Sequence, residues 1–496
     1  MRLLTISLVF AFLFFCGAGP PPSVLADDSQ SVAFDTTRMV KEIQVLSSPE
    51  FSGRQTGTDG GLASAAFVAQ RFRELGLTPA GNIGLGPGKK PWGQSGPVNV
   101  TQIQEPTLLE FTVTTPAGKS NTFTPEVGTG FLPVLDSPSV HVTAPVVFVG
   151  YGISDPARGW DEYEGVDVRN RVVLFLRGKP SHYPKHIHHT EKERIAREKG
   201  AVAFITLTGP VLSPYAARRG MSFQPLAFYS NATNKRPLSG VWIDGKIGTA
   251  LFKSEGLDLS AIQETLNKNP TIQSRILKTI VRMRWETTSR SGSFMNVLGM
   301  IPGSNPVRQQ ETIIIGAHRD HFGQQAGLMF PGADDNASGT ALLLETARIL
   351  MKSGPSKRTI LFASFSGEEQ NLLGSTWYVQ HPTRPLVNTI AMINVDHVGI
   401  GNGQLTVGVT HLPKDVAGRA AHRAGLSDKV KLYGFFPGGD HVPFANMDIP
   451  TIAVVTAGTH PHFHQTSDTF DTIQPERLRT AAQFVLALTQ QLANPN

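Results

Sequence analysis

The second half of this 496-residue chain predicts an α/β fold: a mostly parallel, mixed sheet flanked by helices. Short apolar runs, which predict buried strands, alternate there with segments whose apolar residues recur at helical spacing. The expected strands are 312–316, 359–365, 389–395 and 451–455, and the expected helices are 340–351, 372–379 and 475–492. Such alternation implies crossover connections between parallel strands, so helices should cover both faces of the sheet.

The first half of the chain adds one further expected helix, which is followed by a change in the sequence pattern. Residues 62–72 carry apolar side chains at helical spacing. Between 134 and 277, short β runs dominate, joined by turn-rich segments and one charged helix at 191–199. This change predicts a β-rich domain inserted into the α/β domain. The expected organisation is a signal peptide at 1–26, two parts of one α/β domain at 27–133 and 278–496, and the insertion at 134–277.

The N-terminus has the pattern of a secretory signal. Arg2 supplies a positive charge, residues 3–15 form an apolar run, and Val24-Leu25-Ala26 resembles a cleavage site. We therefore expect an exported protein, periplasmic or extracellular and of bacterial type. A lipid anchor at Cys16 is not expected, because Phe15 stands where such a site needs a small residue. No later segment approaches the roughly 20 apolar residues of a membrane-spanning helix.

Composition narrows the function classes. Cys16 is the single cysteine, so the mature chain would have no disulfide, cysteine metal ligand or thiol nucleophile. A net charge of +6 is a small positive excess for 496 residues, and the sequence has no long basic run with interleaved aromatic residues. Nucleic acid is therefore not an expected partner.

Polar, chemically active residues follow the expected strands. Ligands in open α/β sheets bind at the carboxyl ends of the strands, so these groups should converge on one crevice. The segments concerned are Ala317-His318-Arg319-Asp320-His321, Gly332-Ala333-Asp334-Asp335-Asn336-Ala337-Ser338-Gly339, Ser366-Gly367-Glu368-Glu369, Asn394-Val395-Asp396-His397 and His462-Phe463-His464-Gln465-Thr466-Ser467-Asp468.

Two histidines and three carboxylates from these segments form a mixed nitrogen and oxygen ligand set. Such a set suits zinc or a similar divalent ion. Five ligands exceed the need of one tetrahedral site and suit two ions about 4 Å apart, bridged by one carboxylate. Single residues of the set could instead be helix caps, as Asp334 and Asp335 could be. Four clusters, each at a strand end of one α/β block, favour a metal site.

In these segments the chain resembles the family M28 metallopeptidases, which include bacterial aminopeptidases and glutamate carboxypeptidases. The resemblance covers about residues 34–125 and 284–492 and consists of His-x-Asp, Asp-Asp-Asn-Ala-Ser-Gly, Gly-Glu-Glu, Asn-x-Asp and His-x-x-x-Asp, in that order. The insertion resembles a protease-associated (PA) domain, through Gly150-Tyr151-Gly152, the 161–168 segment and the strand at 172–176.

The resemblance implies a role for each site residue. Two divalent ions, with zinc expected, would be held by His318 and Asp396 on one side and by Glu369 and His464 on the other. Asp335 would bridge them, with a cis peptide bond after it. Glu368 would be the general base. The carboxylate of Asp320 would orient His318, and Asp440, in a loop resembling one near the family's substrate pocket, would contact substrate.

The implied function is an exported di-metal aminopeptidase that removes N-terminal residues from peptides. The alternatives are a carboxypeptidase, dipeptidase or glutaminyl cyclase of the same family, or a non-catalytic binding protein on the same scaffold. Retention of the whole ligand set favours two-metal hydrolysis. A histidine group in the insertion, comprising His182, His186, His188 and His189, is interpreted as a solvated loop rather than a second metal site, because no carboxylates surround it.

Overall fold

The computed structural model describes residues 34–213, 217, 223–230, 237–268 and 273–495. The expected signal peptide at 1–26, with Cys16, lies outside the described residues. Within the described ranges, no helix has the length and apolarity that crossing a membrane requires.

A nine-stranded mixed sheet forms the centre of the α/β part of the chain. In spatial order its strands are Thr78–Pro79, Thr287–Ile301, Thr359–Phe365, Thr312–His318, Thr389–Val395, Thr451–Thr456, Leu405–Thr410 and Val430–Tyr433, with Gly93–Ile103 also paired to Thr287–Ile301. The four strands from Thr359–Phe365 to Thr451–Thr456 run parallel to one another. Their carboxyl ends therefore meet at one edge of the sheet, as expected from the sequence.

The central strands are buried on both faces, between two layers of helices. In Thr312–His318, Ile313 and Ile315 join the larger core cluster on one face, while Ile314 joins a second cluster on the other face. Because successive side chains of a strand point to opposite faces, an all-apolar strand needs cover on both. The helices of this part are Thr36–Leu46, Asp59–Glu74, Gly339–Lys352, Leu373–Gln380, Lys414–Arg423, His441–Ala445 and Pro475–Ala493. The predicted α/β class with a mixed, mostly parallel sheet is confirmed.

A second, eight-stranded sheet builds the remaining module. In spatial order its strands are Ser120–Phe123, Leu108–Thr114, Arg275–Trp285, Val140–Phe148, Val172–Leu176, Ala203–Leu207, Ser239–Ile243 and Phe131–Pro133. Helices His189–Glu198, Gly245–Ser254 and Leu259–Lys268 belong to the same region. Three of the strands precede residue 134, so the sheet takes strands from both sides of that predicted boundary. We call residues 108–285 the second module.

Shorter elements complete the described chain. Two small hairpins pair Gly323–Gln325 with Leu328–Phe330 and Ser154–Asp155 with Trp160–Asp161. Single helical turns lie at Pro49–Arg54, Pro87–Lys89, Pro156–Arg158, Arg308–Gln310, Ala333–Ser338, Leu386–Asn388 and Phe470–Thr472. The turn at Ala333–Ser338 leads directly into helix Gly339–Lys352, and it carries Asp335.

Candidate metal centre

Three parallel strands deliver predicted site residues to one edge of the first sheet. His318 is the last residue of its strand, and Asp396 directly follows the neighbouring strand. Glu368 and Glu369 lie in the turn after Thr359–Phe365, the strand on the other side. The parallel register therefore brings these four side chains to one region.

His318 lies between two carboxylates. Its Nε2 is 3.3 Å from Asp396 Oδ1 and 3.4 Å from Asp335 Oδ1. The imidazole is almost fully buried, and its Nδ1 faces the main-chain carbonyl of Asp320 at 3.2 Å, while the Asp320 carboxylate is 3.8 Å away. The orientation expected from the Asp320 carboxylate thus comes mainly from the Asp320 backbone. Asp320 Oδ1 instead accepts a hydrogen bond from the main-chain N–H of Glu368.

His464 lies on the opposite side of the same carboxylate. Its Nε2 is 3.2 Å from Asp335 Oδ2 and 3.5 Å from Glu369 Oε2. The ring stacks on Phe463, with centroids 3.7 Å apart, and meets Phe322 edge-on at 4.7 Å. Asp335 therefore presents one oxygen to each histidine, and the structure brings all five predicted metal ligands together.

The turn that carries Asp335 is held by neighbouring polar groups. Asp468 accepts hydrogen bonds from the main-chain N–H groups of Asp334 and Asp335, at 2.9 and 3.0 Å. Asn336 donates to the carbonyl of Val395, directly before Asp396. Gly332 has a φ of +59°, and a Cβ there would lie 2.3 Å from the carbonyl oxygen of Asp335. The Asp335–Asn336 peptide bond is cis, as the resemblance implied.

Asp334, the alternative to Asp335, faces away from the predicted ligands. Its Oδ2 is 2.7 Å from His460 Nδ1, and its Oδ1 accepts the main-chain N–H of Gly399. Asp334, His397 and His460 also form a buried group with metal-ligand geometry. Since Asp334 already has partners for both oxygens, hydrogen bonding accounts for its position.

Two further imidazoles reach the site and were not singled out from the sequence. His321 Nδ1 is 2.7 Å from Glu369 Oε1, and His397 Nε2 is 3.6 Å from both Asp335 Oδ2 and Asp396 Oδ1. Both lie within the segments that carry predicted ligands, His321 three residues after His318 and His397 directly after Asp396, which is the signal that could have identified them. A histidine next to a ligand is common by chance, so position along the chain alone does not separate the two cases.

Buried acids dominate the electrostatics of the region. Burial raises the pKa of Glu368 well above its usual range, an effect that His318 opposes and the carboxylates of Asp396 and Asp440 reinforce. Burial likewise raises the pKa of Asp440 to about 7. Asp440 is fully buried at the start of helix His441–Ala445. Its carboxylate contributes to the raised pKa of Glu368, and among the described residues no hydrogen bond joins it to a predicted metal ligand.

Arg54 connects the two loops that carry His318 and Asp335. Its guanidinium is fully buried and donates hydrogen bonds of 2.6 Å to the main-chain carbonyls of Leu46, Arg319, Pro331 and Gly332. Burial lowers the pKa of Arg54 to about 10. The side chain acts as a clamp on the backbone at both loops, because its planar fork can donate in several directions at once.

The histidine group of the second module divides into exposed and half-buried members. His189 is half-buried, with both ring nitrogens shielded from solvent and its ring centroid 4.9 Å from that of Phe228 and 5.7 Å from that of Trp242. His186 and His188 contact each other at 4.3 Å. Within the described residues, no group with metal-ligand geometry includes any of these histidines.

The fold and the ligand cluster define an α/β protein with a candidate divalent-metal site at the carboxyl edge of its sheet. Residues 296–489 match the family model described as "Peptidase family M28". The matched range contains all five predicted metal ligands.

Two relatives to which the chain is similar are named aminopeptidases. The chain is 26% identical over 447 residues to Aminopeptidase YwaD of Bacillus subtilis, covering 88% of this chain and 80% of that protein. It is 26% identical to Leucine aminopeptidase 1 of Ajellomyces dermatitidis, over 57% of this chain and 77% of that protein.

Two solved structures share the fold over nearly the whole chain. An aminopeptidase from Aneurinibacillus sp. strain AM-1 superposes with a TM-score of 0.65 at 22% identity, covering 93% of this chain and 95% of that one. A zinc aminopeptidase from Bacillus subtilis gives 0.62 at 22% identity, with coverages of 93% and 96%. Both modules of the chain are therefore part of a known overall architecture.

Proposed function

We propose that this protein is an exported two-metal aminopeptidase, with zinc as the expected ion and peptide N-termini as substrates. The observation that carries the proposal is the placement of Asp335, whose Oδ1 lies 3.4 Å from His318 Nε2 and whose Oδ2 lies 3.2 Å from His464 Nε2. A carboxylate that faces one imidazole with each oxygen is suited to bridge two cations.

The residues present fit a pair of divalent ions. His318 and Asp396 would hold one ion, Glu369 and His464 the other, and Asp335 would bind both. Imidazole nitrogen and carboxylate oxygen are zinc ligands. The region also concentrates buried carboxylates, which are costly to keep together without cations between them. His321 and His397 lie close enough to Glu369 and Asp396 to orient those carboxylates.

Two ions bound there would supply Lewis acidity, polarising a peptide carbonyl and acidifying a water molecule. Glu368 is the proposed general base and would take a proton from that water. The raised pKa of Glu368 suits a group that accepts a proton and later returns it to the leaving amine. Asp320 Oδ1 holds the main-chain N–H of Glu368 and so fixes the turn from which the carboxyl group projects.

Action at the N-terminus of peptides is supported by the relatives. Both the Bacillus subtilis and the Ajellomyces dermatitidis proteins are named aminopeptidases, and each is covered over three quarters or more of its length. Export is proposed from the N-terminal signal pattern. The PA-like character of residues 134–277 is proposed from the sequence resemblance together with the separate sheet.

A substrate panel tests the proposal. Metal-reconstituted protein should release p-nitroaniline from aminoacyl-p-nitroanilides and shorten peptides from the N-terminus, with about two zinc ions bound per chain. N-acetylated versions of the same substrates are the matched controls and should be inert. Cleavage of blocked peptides from the C-terminus would favour the carboxypeptidase alternative, and metal binding without any hydrolysis would favour a binding protein.

A further inference from the structure

A segment of the second module, residues 223–230, contacts the candidate metal centre through its main chain. The N–H of Ala227 donates to the carbonyl of His464 at 3.0 Å. The Nδ1 of His464 lies 2.9 Å from the carbonyl oxygen of Ala227. These two contacts join residues 237 positions apart in the sequence. We call residues 223–230 the docking segment.

The contact at Nδ1 determines what His464 can do with its other nitrogen. A carbonyl oxygen only accepts, so His464 must carry its proton on Nδ1 and donate it to Ala227. The Nε2 lone pair is then free, and Nε2 is the atom that faces Asp335 and Glu369. Such a partner fixes both the tautomer and the ring plane of a metal-binding histidine.

The docking segment is itself held by the second module and by the α/β part. Asp136 accepts hydrogen bonds from the N–H and the hydroxyl of Ser230, at 2.7 and 3.0 Å. Gln55 donates to the hydroxyl of Tyr229 at 3.0 Å, and Leu135 N–H donates to the carbonyl of Phe228. Ala227 is completely buried. The position of the Ala227 carbonyl therefore depends on the second module.

We propose that the docking segment is a positioning element for His464, through which the second module sets the metal affinity of one half of the centre. That half is formed by Glu369 and His464. The half formed by His318 and Asp396 takes its orientation from Asp320, within the α/β part, and in the described residues no hydrogen bond joins it to the docking segment. The inference rests on the proposed two-metal function and adds a role in metal binding for the second module.

Two variants test the inference on the full-length protein. Ala227→Pro removes the N–H that donates to His464. Asp136→Ala leaves the sequence of the docking segment unchanged but removes both hydrogen bonds that Asp136 accepts from Ser230. Asp155→Ala is the matched control, because Asp155 also accepts hydrogen bonds within the second module, from Arg158 and Tyr183, and contacts neither the docking segment nor His464 in the described residues.

The measurement is calorimetric titration of Zn²⁺ into metal-free protein, with thermal melting of the metal-free form and the absorption spectrum of the Co²⁺ form recorded alongside. We expect wild type and Asp155→Ala to bind two ions. In Ala227→Pro and Asp136→Ala, one site should keep its affinity and the other should weaken roughly 10- to 100-fold, the usual effect of losing a partner behind a metal ligand. If Ala227→Pro does not fold, Asp136→Ala decides.

The outcomes separate this inference from the proposed function. If wild-type protein does not bind two ions, the proposed function fails, and the inference fails with it. If wild type binds two ions but both variants keep both affinities, or lose both equally in step with their melting temperatures, only the inference is overturned. A selective loss of one site, with an altered Co²⁺ spectrum and an unchanged melting temperature, supports it.

Discussion

Replacement of Asp468 by Ala should loosen the turn that presents Asp335. Asp468 is 1% exposed and accepts the N–H groups of Asp334 and Asp335 at 2.9 and 3.0 Å. A buried donor left without a partner costs about 1–3 kcal/mol. Because two main-chain N–H groups lose their acceptor, the free energy of unfolding should fall by about 2–6 kcal/mol.

Urea denaturation of the metal-free protein measures this change without contributions from bound ions. Asp468→Asn is the control, since its amide keeps one acceptor oxygen and should lose about half as much stability. Zinc affinity of Asp468→Ala should fall at both sites, because Asp335 serves both. A stability loss below about 1 kcal/mol, with zinc binding unchanged, would show that Asp468 does not hold the turn.

Three further perturbations probe other groups. Glu368→Gln should lower kcat by about 10²- to 10⁴-fold with both zinc ions retained, as measured by steady-state kinetics and metal analysis; loss of an ion would mean that Glu368 is a ligand. Arg54→Lys keeps the charge but loses the planar fork, so the free energy of unfolding measured by denaturation should fall by about 3 kcal/mol. The control Arg290→Lys, at an exposed site, should change it little. His189→Phe should make the free energy of unfolding less sensitive to acid. Burial holds the pKa of His189 in the folded chain well below 6.5, so below that pH the unfolded chain binds a proton that the folded chain does not. Wild-type stability should therefore fall, relative to the variant, by up to about 1.4 kcal/mol per pH unit below pH 6.5, and parallel stability curves would refute this.

The fold of the α/β part could be predicted in detail because its signals are local. The strand Thr359–Phe365 is entirely buried and mostly apolar up to its polar turn, and its observed bounds match the expected ones. The sheet of the second module is harder to predict from the sequence, because it pairs Leu108–Thr114 with Arg275–Trp285 across more than 160 residues. Nothing in the local sequence of either strand identifies its partner, so this pairing could not be predicted from the sequence.

The ligand cluster could be predicted because parallel strands deliver their ends to one place whatever the details of packing. The contacts that the surrounding groups make with these ligands could not be predicted. Asp320 sits two residues beyond His318 as expected, yet its backbone carbonyl rather than its carboxylate is nearest to the imidazole. The contact between His464 Nδ1 and the main-chain carbonyl of Ala227 joins the two modules. A main-chain acceptor cannot be recognised from the pattern of side chains in the sequence.

The two-ion bridge at Asp335 is tested most directly by anomalous diffraction at the zinc edge from crystals of the zinc-loaded protein. Two peaks about 3.5–4 Å apart are expected on either side of Asp335, one beside His318 and one beside His464. A single peak, or a peak enclosed by Asp334 and His460 with none at Asp335, would contradict the bridge and the two-metal mechanism built on it.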